Sequence, residues 1–244
     1  MKIYLLTSNK YTHVCPVNIH FLNKYWPDQD ITLVGCDKVT GLKNLPSNVT
    51  IDSLGPQTDF PKWSDALAPY FESIPEDYFV LIFDDHILLN KVDKAKMTII
   101  EEQFRSKKVD KAMIGGGVPL KFSSKYGENL LMLPQGVHYR ASLHPAVWMK
   151  KYLLNYLKPD LTSWDFELKN DPVAMFDGAK IINYNYNYPE SPHPFSYLEL
   201  FNKGIISINE DGDILSSQPS QKFFDKKDIQ YIWSESHQYQ RELQ

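Results

Sequence analysis

Short apolar runs alternate with stretches of helical periodicity along the first half of the chain. The runs at residues 3–7, Ile31–Gly35 and Tyr78–Phe83 predict buried strands, because each is brief, largely apolar and followed by polar or turn-forming residues. Between the first two runs, apolar side chains recur every three or four positions from Val17 to Tyr25, which is typical of a helix with one buried face. This alternation predicts an α/β fold, Rossmann-like in its N-terminal half, with a mostly parallel central sheet flanked by helices.

Weaker patterns predict four further elements in the first half. They are a strand at residues 49–51, a helix at 63–74, a helix at 92–104 and a strand at 112–115. Pro69 lies inside the first of these helical patterns, so we expect that helix to be kinked or to begin later than the pattern suggests.

The second half of the chain is less regular and predicts an α+β arrangement. We expect a helix at residues 146–157, a strand at 183–188, a hairpin at 205–215 that turns at Asp211-Gly212, and an exposed, charged helix at 226–242. No segment has the composition of a linker, which predicts a single domain.

Composition and charge exclude several classes of protein. Hydrophobic residues make up 43% of the 244 residues, which permits a large core and is unlike a disordered chain. The net charge of −4 offers no general attraction to nucleic acid, so nucleic acid is expected only as an acceptor. Cys15 and Cys36 form no disulfide framework, no apolar run approaches the ~20 residues of a membrane-spanning helix, and the N-terminus has no signal-peptide core. These features predict a cytoplasmic protein without a transmembrane segment.

Two adjacent acidic residues follow the most apolar strand. Asp84, Asp85 and His86 come directly after Tyr78–Phe83. Desolvated charge is costly unless it is paired or metal-bound, and ligands of open α/β sheets collect at the carboxyl ends of the strands. Two carboxylates and an imidazole at such a place suit a divalent cation that bridges a diphosphate. The alternative is a solvated turn in which one aspartate caps the next segment.

Other polar residues are candidates for catalysis or binding. Glu167 or Asp165 is a candidate general base that takes a proton from a hydroxyl group, and the alternative is a helix N-terminus whose acidic residues favour the helix dipole. Arg140 is a candidate for an acceptor or phosphate pocket, with an exposed loop arginine as the alternative. His193, between two prolines, is a candidate third metal ligand. The sequence contains no P-loop or dinucleotide-binding fingerprint.

Five short motifs follow one another along roughly residues 60–205. They are Trp63-Ser64-Asp65, the strand with its acidic end at 78–86, the segment 139–148, Ser163-Trp164-Asp165-Phe166-Glu167 and Asn202-Lys203-Gly204. Their order resembles a group of bacterial and phage glycosyltransferases of the GT-A type, related to those that build surface polysaccharides. In that group a hydrophobic strand ends in Asp-Asp, an Arg-x-Ser-Leu-x-x-x-x-Trp stretch follows, and a Trp-x-Phe-Glu motif comes later.

The resemblance implies a GT-A fold with a nucleotide-sugar-binding half at about residues 1–115 and an acceptor and catalytic half at about 116–244. It implies a nucleotide-diphosphate sugar as donor, a glycan or other hydroxyl compound as acceptor, and Mn²⁺ or Mg²⁺ as cofactor. The donor-binding residues implied are Thr7, Ser8, Asn9, Asp37, Trp63, Asp65 and Asp84. The metal ligands implied are Asp85 with Asp84 or His86, and His193.

For catalysis the resemblance implies Glu167 as the base, with Asp165 in reserve, and Arg140 and Trp164 at the acceptor. His86 stands where a second, spaced aspartate of the family's metal motif is expected. Because a base is present, we expect inversion at the anomeric carbon, although a retaining enzyme would have similar strand-end acids. A surface glycan or its precursor is the expected acceptor. The alternatives are a hydroxymethylated base of phage DNA as acceptor, a nucleotidyltransferase, or a catalytically inactive protein that binds a nucleotide sugar.

Overall fold

The computed structural model of the chain describes residues 1–60, 62–115, 123–127, 130–184, 194–199, 201–202, 205–206 and 224–242. Its helices are α1 (Cys15–Tyr25), α2 (Trp63–Ser73), α3 (Lys94–Arg105), α4 (Lys150–Tyr156), α5 (Ser163–Ala174) and α6 (Lys226–Glu242). Its strands are β1 (Ile3–Leu6), β2 (Ile31–Gly35), β3 (Val49–Ser53), β4 (Tyr78–Phe83), β5 (His86–Leu88), β6 (Lys111–Met113), β7 (Ser124–Lys125), β8 (Leu130–Met132), β9 (Ala146–Met149), β10 (Ile181–Tyr184), β11 (Tyr197–Glu199), β12 (Phe201–Asn202) and β13 (Ile205–Ile206).

Nine strands form one sheet in the order β3-β2-β1-β4-β9-β6-β10-β8-β7. The strands from β3 to β4 are parallel to one another, and β6 is parallel to β10. In contrast, β9 is antiparallel to β4 and β6, and β8 is antiparallel to β10 and β7. All strands of the sheet except β8 and β9 therefore run in one direction, which confirms the predicted, mostly parallel α/β sheet. Two small antiparallel pairs, β5 with β11 and β12 with β13, lie beside it.

Alternate residues of the central strands enter two separate cores, because successive side chains of a strand point to opposite faces. Ile3 and Leu5 of β1 belong to one core, and Tyr4 and Leu6 belong to the other. Helices α1, α3 and α6 contribute to the first core, whereas α2, α4 and α5 contribute to the second. The sheet is thus covered by helices on both faces, as predicted.

The prediction of one helix at residues 146–157 is wrong in its first part. Residues Ala146–Met149 form β9, a strand between β4 and β6, and the helix begins only at Lys150. Val147 and Trp148 are fully buried on opposite faces of the sheet, one in each core. A short, wholly apolar run fits either a strand or a buried helix, so its periodicity alone does not distinguish them.

The other predicted elements are found with small changes. Helix α2 begins at Trp63 and includes Pro69, so the expected later start does not occur. Helix α6 is present, but it is not exposed throughout, because Ile229 and Ile232 are buried in the first core. Only residues 181–184 of the strand predicted to extend to residue 188 are described, and β13 pairs with β12. The predicted turn at Asp211-Gly212 lies outside the described residues.

Two further expectations concern cysteines and membranes. Cys15 and Cys36 are free and buried. None of the helices in the described ranges combines the length and the apolar character needed to cross a bilayer.

Candidate active site

Strands β1, β2 and β4 end next to one another at one edge of the sheet. Leu6, the last residue of β1, is paired with Val34 of β2 on one side and with Phe83 of β4 on the other. Thr7 and Asp84, which follow these strand ends, therefore lie at the same edge. This edge is where open α/β sheets bind their ligands.

Gly35 at the end of β2 permits a close approach of the chain at this edge. A Cβ atom on Gly35 would come within 2.5 Å of Val39 and 2.9 Å of Thr7. The carbonyl oxygen of Ser8 accepts a hydrogen bond of 3.0 Å from the Thr12 hydroxyl, which directs the chain into the turn before α1. A larger residue at position 35 would displace the segment that follows β1.

The turn after β4 is held by a buried asparagine of α1. The side-chain Nδ2 of Asn18 lies 3.0 Å from the carbonyl oxygens of Phe83 and Asp84, and 3.1 Å from that of His86. Three acceptors around one NH₂ group fix the backbone path of this turn. Asn18 Oδ1 is buried and finds no hydrogen-bond partner in the described part of the chain, which costs on the order of 1–3 kcal/mol.

The side chain of Asp84 points into the protein. Its Oδ2 accepts a short hydrogen bond from the Thr7 hydroxyl, and the residue is almost fully buried. Burial, opposed by the Thr7 bond and reinforced by the charge of Asp85, raises the pKa of Asp84 to about 8. Asp84 therefore stabilises the turn from inside the protein. This does not fit the expectation that it contacts the donor or a metal directly.

His86 is buried, and the backbone fixes its ring. The Phe83 N–H donates to His86 Nδ1 over 3.2 Å, which places the proton of the neutral ring on Nε2. Burial and the charge of His144 lower the pKa of His86 to about 3, so the 3.8 Å approach of Nε2 to Asp85 is not an ion pair at neutral pH. A nitrogen that binds a metal must be unprotonated, so this geometry corrects the expectation that His86 is a ligand.

The side chain of Asp85, unlike its two neighbours in the turn, is 38% exposed. Burial and the charge of Glu199 raise the pKa of Asp85 to about 6. Glu199 is the last residue of β11 and pairs with His86 of β5, so its strand borders the turn. Two carboxylates that repel each other form a place where a divalent cation would be stabilising.

The residues present fit a metal that is bound together with its substrate. No group of three or more His, Cys, Asp or Glu side chains that could hold a metal occurs among the residues that the structure describes. Mg²⁺ is usually bound by one or two carboxylates together with substrate phosphates. Asp85 meets that requirement. His193 lies outside the described residues, so its suggested role stays a prediction.

Asn9 and Asp37 bind each other beyond the ends of β1 and β2. Asn9 Nδ2 donates to Asp37 Oδ1 over 2.7 Å, and the Lys38 N–H donates to Asn9 Oδ1 over 3.1 Å. Gln57, in the loop after β3, accepts from the Asn9 N–H and donates its own N–H to Asp37. Hydrogen bonds from Asn9 and Gln57 lower the pKa of Asp37. This network unites two predicted donor-binding residues with Gln57, which sequence reasoning missed.

Trp63 and Asp65 lie in the first turn of helix α2, and both stabilise its contacts with the rest of the fold. The Trp63 ring stacks on that of Phe83 with centroids 6.0 Å apart. Asp65 Oδ2 accepts from the Lys62 N–H over 3.2 Å, and Oδ1 accepts from the Asp160 N–H over 2.8 Å. Asp65 thus stabilises the start of α2, and because each carboxylate oxygen can accept a further hydrogen bond, its expected contact with base or ribose stays a prediction.

The first turn of α5 uses Asp165 as a capping residue. Thr162, not Ser163, is the N-cap, and its hydroxyl accepts from the Asp165 N–H over 3.0 Å while Asp165 Oδ2 accepts from the Thr162 N–H. Hydrogen bonds from Thr162, together with Lys169 at 3.1 Å, lower the pKa of Asp165 to about 2. A carboxylate that weakly attracts protons is a poor base, so this geometry argues against the reserve assignment of Asp165.

Glu167 lies two residues further along α5 and bonds to the loop before β9. Its Oε1 accepts a hydrogen bond from the Leu143 N–H. Burial raises the pKa of the nearby Tyr197, and three negative charges raise it further. In decreasing order these charges belong to Glu199, Asp85 and Glu167. The Tyr197 ring packs against that of His86 with centroids 4.9 Å apart, and its hydroxyl lies 2.5 Å from His144 Nδ1, next to the residue that donates to Glu167. The β4–β5 turn, β11 and α5 therefore meet around Tyr197, and this region is the candidate cleft.

Arg140 does not line this cleft. The residue is fully buried, and all five of its N–H donors are engaged. Its partners are the carbonyl oxygens of Leu133, Pro134, Ala174 and Ala179, at 2.6 to 3.2 Å, and Asp177 Oδ1 at 3.3 Å. The expectation that Arg140 binds the acceptor is therefore corrected, because no donor remains for a ligand.

Replacing Arg140 with methionine is expected to lower the free energy of unfolding by about 3–5 kcal/mol, because buried acceptors lose their donor and Asp177 loses its cation. Urea denaturation measures the change. Arg105→Met is the matched control, since Arg105 is 65% exposed in an ion pair with Glu101 and should cost no more than about 0.5 kcal/mol. Equal effects of the two substitutions would contradict the structural role of Arg140.

Replacing Asp84 with asparagine is expected to stabilise the folded protein at alkaline pH. The pKa of about 8 in the folded protein lies above the ordinary value of 3.8, so the ionised carboxylate opposes folding above pH 8. This penalty shrinks as the pH falls from 8 toward 3.8, because the folded state then takes up a proton. Asparagine keeps an oxygen for the Thr7 hydroxyl but has no charge.

In urea denaturation with EDTA present, the free energy of unfolding of the Asp84→Asn variant at pH 9 should therefore be higher than that of the wild type. The expected difference is at least about 1.4 kcal/mol, the equivalent of one pKa unit, and it should narrow toward pH 6. A variant that is no more stable than the wild type at pH 9 would contradict the burial of an ionisable Asp84.

Trp164 of α5 projects into solvent. Its side chain is 72% exposed, and Leu168 one turn along the helix is also exposed. An exposed indole ring is free to stack on a sugar or another ring. The acceptor-binding role of Trp164 stays a prediction.

Sequence reasoning missed several residues of the cleft. The sequence could have indicated Asn18, since it is a polar residue on the apolar face of a predicted helix. No sequence pattern could have indicated Glu199 and Tyr197, because they lie in a region without periodicity. They reach the cleft only through the pairing of β11 with β5.

A cavity of about 990 Å³ lies outside this cleft, between α1, the segment 38–46 and α6. Its lining includes His13, His20, Lys38 and Tyr231. The candidate residues of the cleft do not line it, so this cavity and the cleft are different places.

Comparisons with known proteins give only distant similarities. The sequence matches no protein-family model and no curated protein. Among solved structures, the chain is similar to S. aureus TarS 1-349, with a TM-score of 0.48 and 12% identity over 80% of this chain and 60% of that one. It is similar to a cytidylyltransferase from Leptospira borgpetersenii, with a TM-score of 0.48 and 9% identity over 97% of this chain and 94% of that one.

A third similar structure is the bifunctional IspDF from Campylobacter jejuni, with a TM-score of 0.42 and 15% identity over 75% of this chain. The chain covers 48% of IspDF and 60% of TarS 1-349, less than two thirds of either.

Proposed function

We propose that the chain is a glycosyltransferase of the GT-A type that moves a sugar from a nucleotide-diphosphate sugar to an acceptor hydroxyl with inversion. The observation that carries this proposal is that Tyr197 joins the two sides of the cleft: its ring packs on His86, the residue after Asp85, and its hydroxyl meets His144, the residue after the one that donates to Glu167. One carboxylate lies at a strand end, where a diphosphate is bound in α/β sheets, and the other lies on a helix across the cleft.

The donor nucleotide is proposed to lie along the ends of β1 and β2. Asn9, Asp37 and Gln57 form a preorganised set of hydrogen-bonding groups there. Groups that hold one another before the ligand arrives lose less freedom when they bind it. Thr7 and Ser8, between this network and the β4–β5 turn, border the path of the diphosphate.

Glu167 is proposed to remove the acceptor proton. Its Oε1 is engaged by the Leu143 N–H, which leaves Oε2 for the proton. The acceptor oxygen forms a bond to the anomeric carbon while the bond from that carbon to the diphosphate oxygen breaks. The electron pair of the broken bond leaves with the nucleoside diphosphate, and the acceptor proton passes to Glu167.

Asp85 is proposed to hold the metal together with the diphosphate oxygens. Mn²⁺ or Mg²⁺, when bound, would stabilise the negative charge on the leaving group. Asn18, Thr7 and the His86 ring fix the turn on which Asp85 stands. The metal would also offset the repulsion between Asp85 and Glu199.

A surface glycan or its precursor is the proposed acceptor. Exposed aromatic side chains suit sugars, because their rings stack on apolar faces of the ligand. Trp164 lies on the same helix as Glu167, three residues before it. A hydroxymethylated base of phage DNA could stack on the same indole ring, so both acceptors belong in the assay.

A thermal-shift panel tests the proposal. Nucleoside diphosphates, nucleotide-diphosphate sugars and nucleoside triphosphates are each compared with and without Mn²⁺. A ligand at 100 times its Kd should add about 2.7 kcal/mol of stability. A response to one diphosphate and its sugar conjugate is expected. A response to triphosphates alone would indicate nucleotidyl transfer, and no response to any nucleotide would reject the proposal.

Turnover separates an enzyme from a binding protein. The nucleotide sugar that stabilises the chain most is incubated with Mn²⁺ and either oligosaccharides or hydroxymethylated DNA, and release of the nucleoside diphosphate is followed. Binding without any release would favour a catalytically inactive nucleotide-sugar-binding protein.

A further inference from the structure

A lysine lies fully buried in the centre of the sheet. Lys111 belongs to β6 and pairs with Trp148 of β9, and its Nζ lies 4.1 Å from the centroid of the Trp148 ring. Burial lowers the pKa of Lys111 to about 7, while the charge of Glu167 opposes this shift. A buried cation is costly compared with an apolar residue of similar size. Its presence here therefore points to a task other than packing.

Lys111 holds the loop that precedes β9. Its Nζ donates to the carbonyl oxygen of Arg140 over 3.0 Å and to that of Ser142 over 2.6 Å. The ammonium group has three N–H groups and the neutral amine has two, so either form can make both bonds. The hold on the loop therefore does not depend on the protonation state of the lysine.

One peptide group links this lysine to the cleft. The Ser142 carbonyl, which accepts from Lys111, and the Leu143 N–H, which donates to Glu167, belong to the same planar unit. A shift of the carbonyl therefore moves the N–H with it. Hydrogen bonds in such a chain also polarise one another, so the bond from Lys111 strengthens the one to Glu167.

We infer that Lys111 is a positioning residue for Glu167 and acts through the peptide group that joins Ser142 to Leu143. The lysine fixes this group, and the group fixes one oxygen of the carboxylate so that the other faces the acceptor. This inference rests on the proposed role of Glu167 as the base.

Lys111→Met tests the inference. The probe is the nucleotide sugar that stabilises the wild type most, and turnover is release of nucleoside diphosphate. We expect kcat to fall about 10- to 100-fold, because small misplacements of a catalytic group have effects of this size. The KM for the donor should stay within about twofold, since Lys111 touches no donor-binding residue. The melting temperature should fall, because the carbonyl groups of Arg140 and Ser142 lose their donor, so kcat and KM are measured well below the melting transition of the variant.

Two further variants sharpen the test. Lys150→Met is the matched control, because Lys150 donates to the Ile74 carbonyl over 2.7 Å and is not linked to Glu167. It should leave kcat unchanged. Lys111→Gln keeps a shorter NH₂ donor and should recover part of the lost turnover.

A double-mutant cycle separates positioning from general damage. If Lys111 acts through Glu167, Lys111→Met should have little further effect on kcat in the Glu167→Gln background. Full additivity would overturn the inference. So would wild-type kcat in folded Lys111→Met, or failure of both Lys111 variants to fold, which would assign the lysine to stability alone.

The outcomes also distinguish this inference from the proposed function. Reduced turnover in Glu167→Gln with normal turnover in Lys111→Met would overturn the inference alone. Normal turnover in Glu167→Gln would overturn the assignment of the base, and the inference would fall with it.

Discussion

Glu167→Gln is expected to lower kcat by about 10²- to 10⁴-fold, the usual contribution of a general base. Glutamine has nearly the same shape and keeps an oxygen for the Leu143 N–H, so the loop and α5 should remain in place. Its amide group cannot take up the proton of the acceptor hydroxyl as the new bond forms. Donor binding, measured by thermal shift, should be unchanged, because the donor-binding network is built from the ends of β1 and β2.

Asp165→Asn is the control for this substitution. Asp165 is also an acidic residue of α5, but it caps the helix through Thr162 and its low pKa makes it a weak base. The control should lower the melting temperature and leave kcat close to that of the wild type. A large loss of kcat in Asp165→Asn, with normal turnover in Glu167→Gln, would reverse the two assignments.

Asp85→Asn is expected to remove the metal-dependent part of nucleotide binding and, with it, turnover. Asparagine has no charge, so it holds a divalent cation far more weakly than a carboxylate does. At concentrations that give the wild type about 2.7 kcal/mol of stabilisation by nucleoside diphosphate with Mn²⁺, the variant should gain less than about 1 kcal/mol. Stabilisation without Mn²⁺ should be similar in both proteins.

Two other variants define what this result means. Asp93→Asn is the matched control, because Asp93 is the N-cap of α3 and its Oδ1 accepts from the Lys96 N–H over 3.1 Å. It should leave the metal effect intact. Glu199→Gln removes the neighbouring charge and tests whether that carboxylate shares the cation. Retention of the full Mn²⁺ effect in Asp85→Asn would contradict the proposed metal site.

The parallel half of the fold could be predicted because its strands are short apolar runs between helical patterns. β1, β2 and β4 lie where the hydrophobic pattern indicates, and the sequence alone placed Asp84 and Asp85 at a strand end. The failure at residues 146–157 has a physical cause. An apolar run buried on both sides has no polar face to reveal its period, so only its neighbours in the sheet decide between strand and helix.

The roles of individual side chains were harder to predict because they depend on distant contacts. Arg140 is drawn inward by carbonyl groups from 133–134, 174 and 179, and no local pattern indicates that these converge. The strand predicted at 112–115 does not include Lys111, and because a lysine is seldom buried, no sequence pattern indicates its place in the sheet. The sequence indicates Asp85 with Asp84 or His86 as metal ligands, and only the fold shows that Asp84 and His86 are buried while Asp85 is partly exposed.

The antiparallel strand β9 has a consequence for how the chain is assembled. It closes the gap between β4 and β6, which both come from the first 115 residues, but it is synthesised more than thirty residues after β6. Until it arrives, two apolar strands have unpaired edges, the kind of surface on which nascent chains associate wrongly. Both halves of the sequence therefore contribute strands to one sheet, and we expect a fragment ending near residue 115 to aggregate.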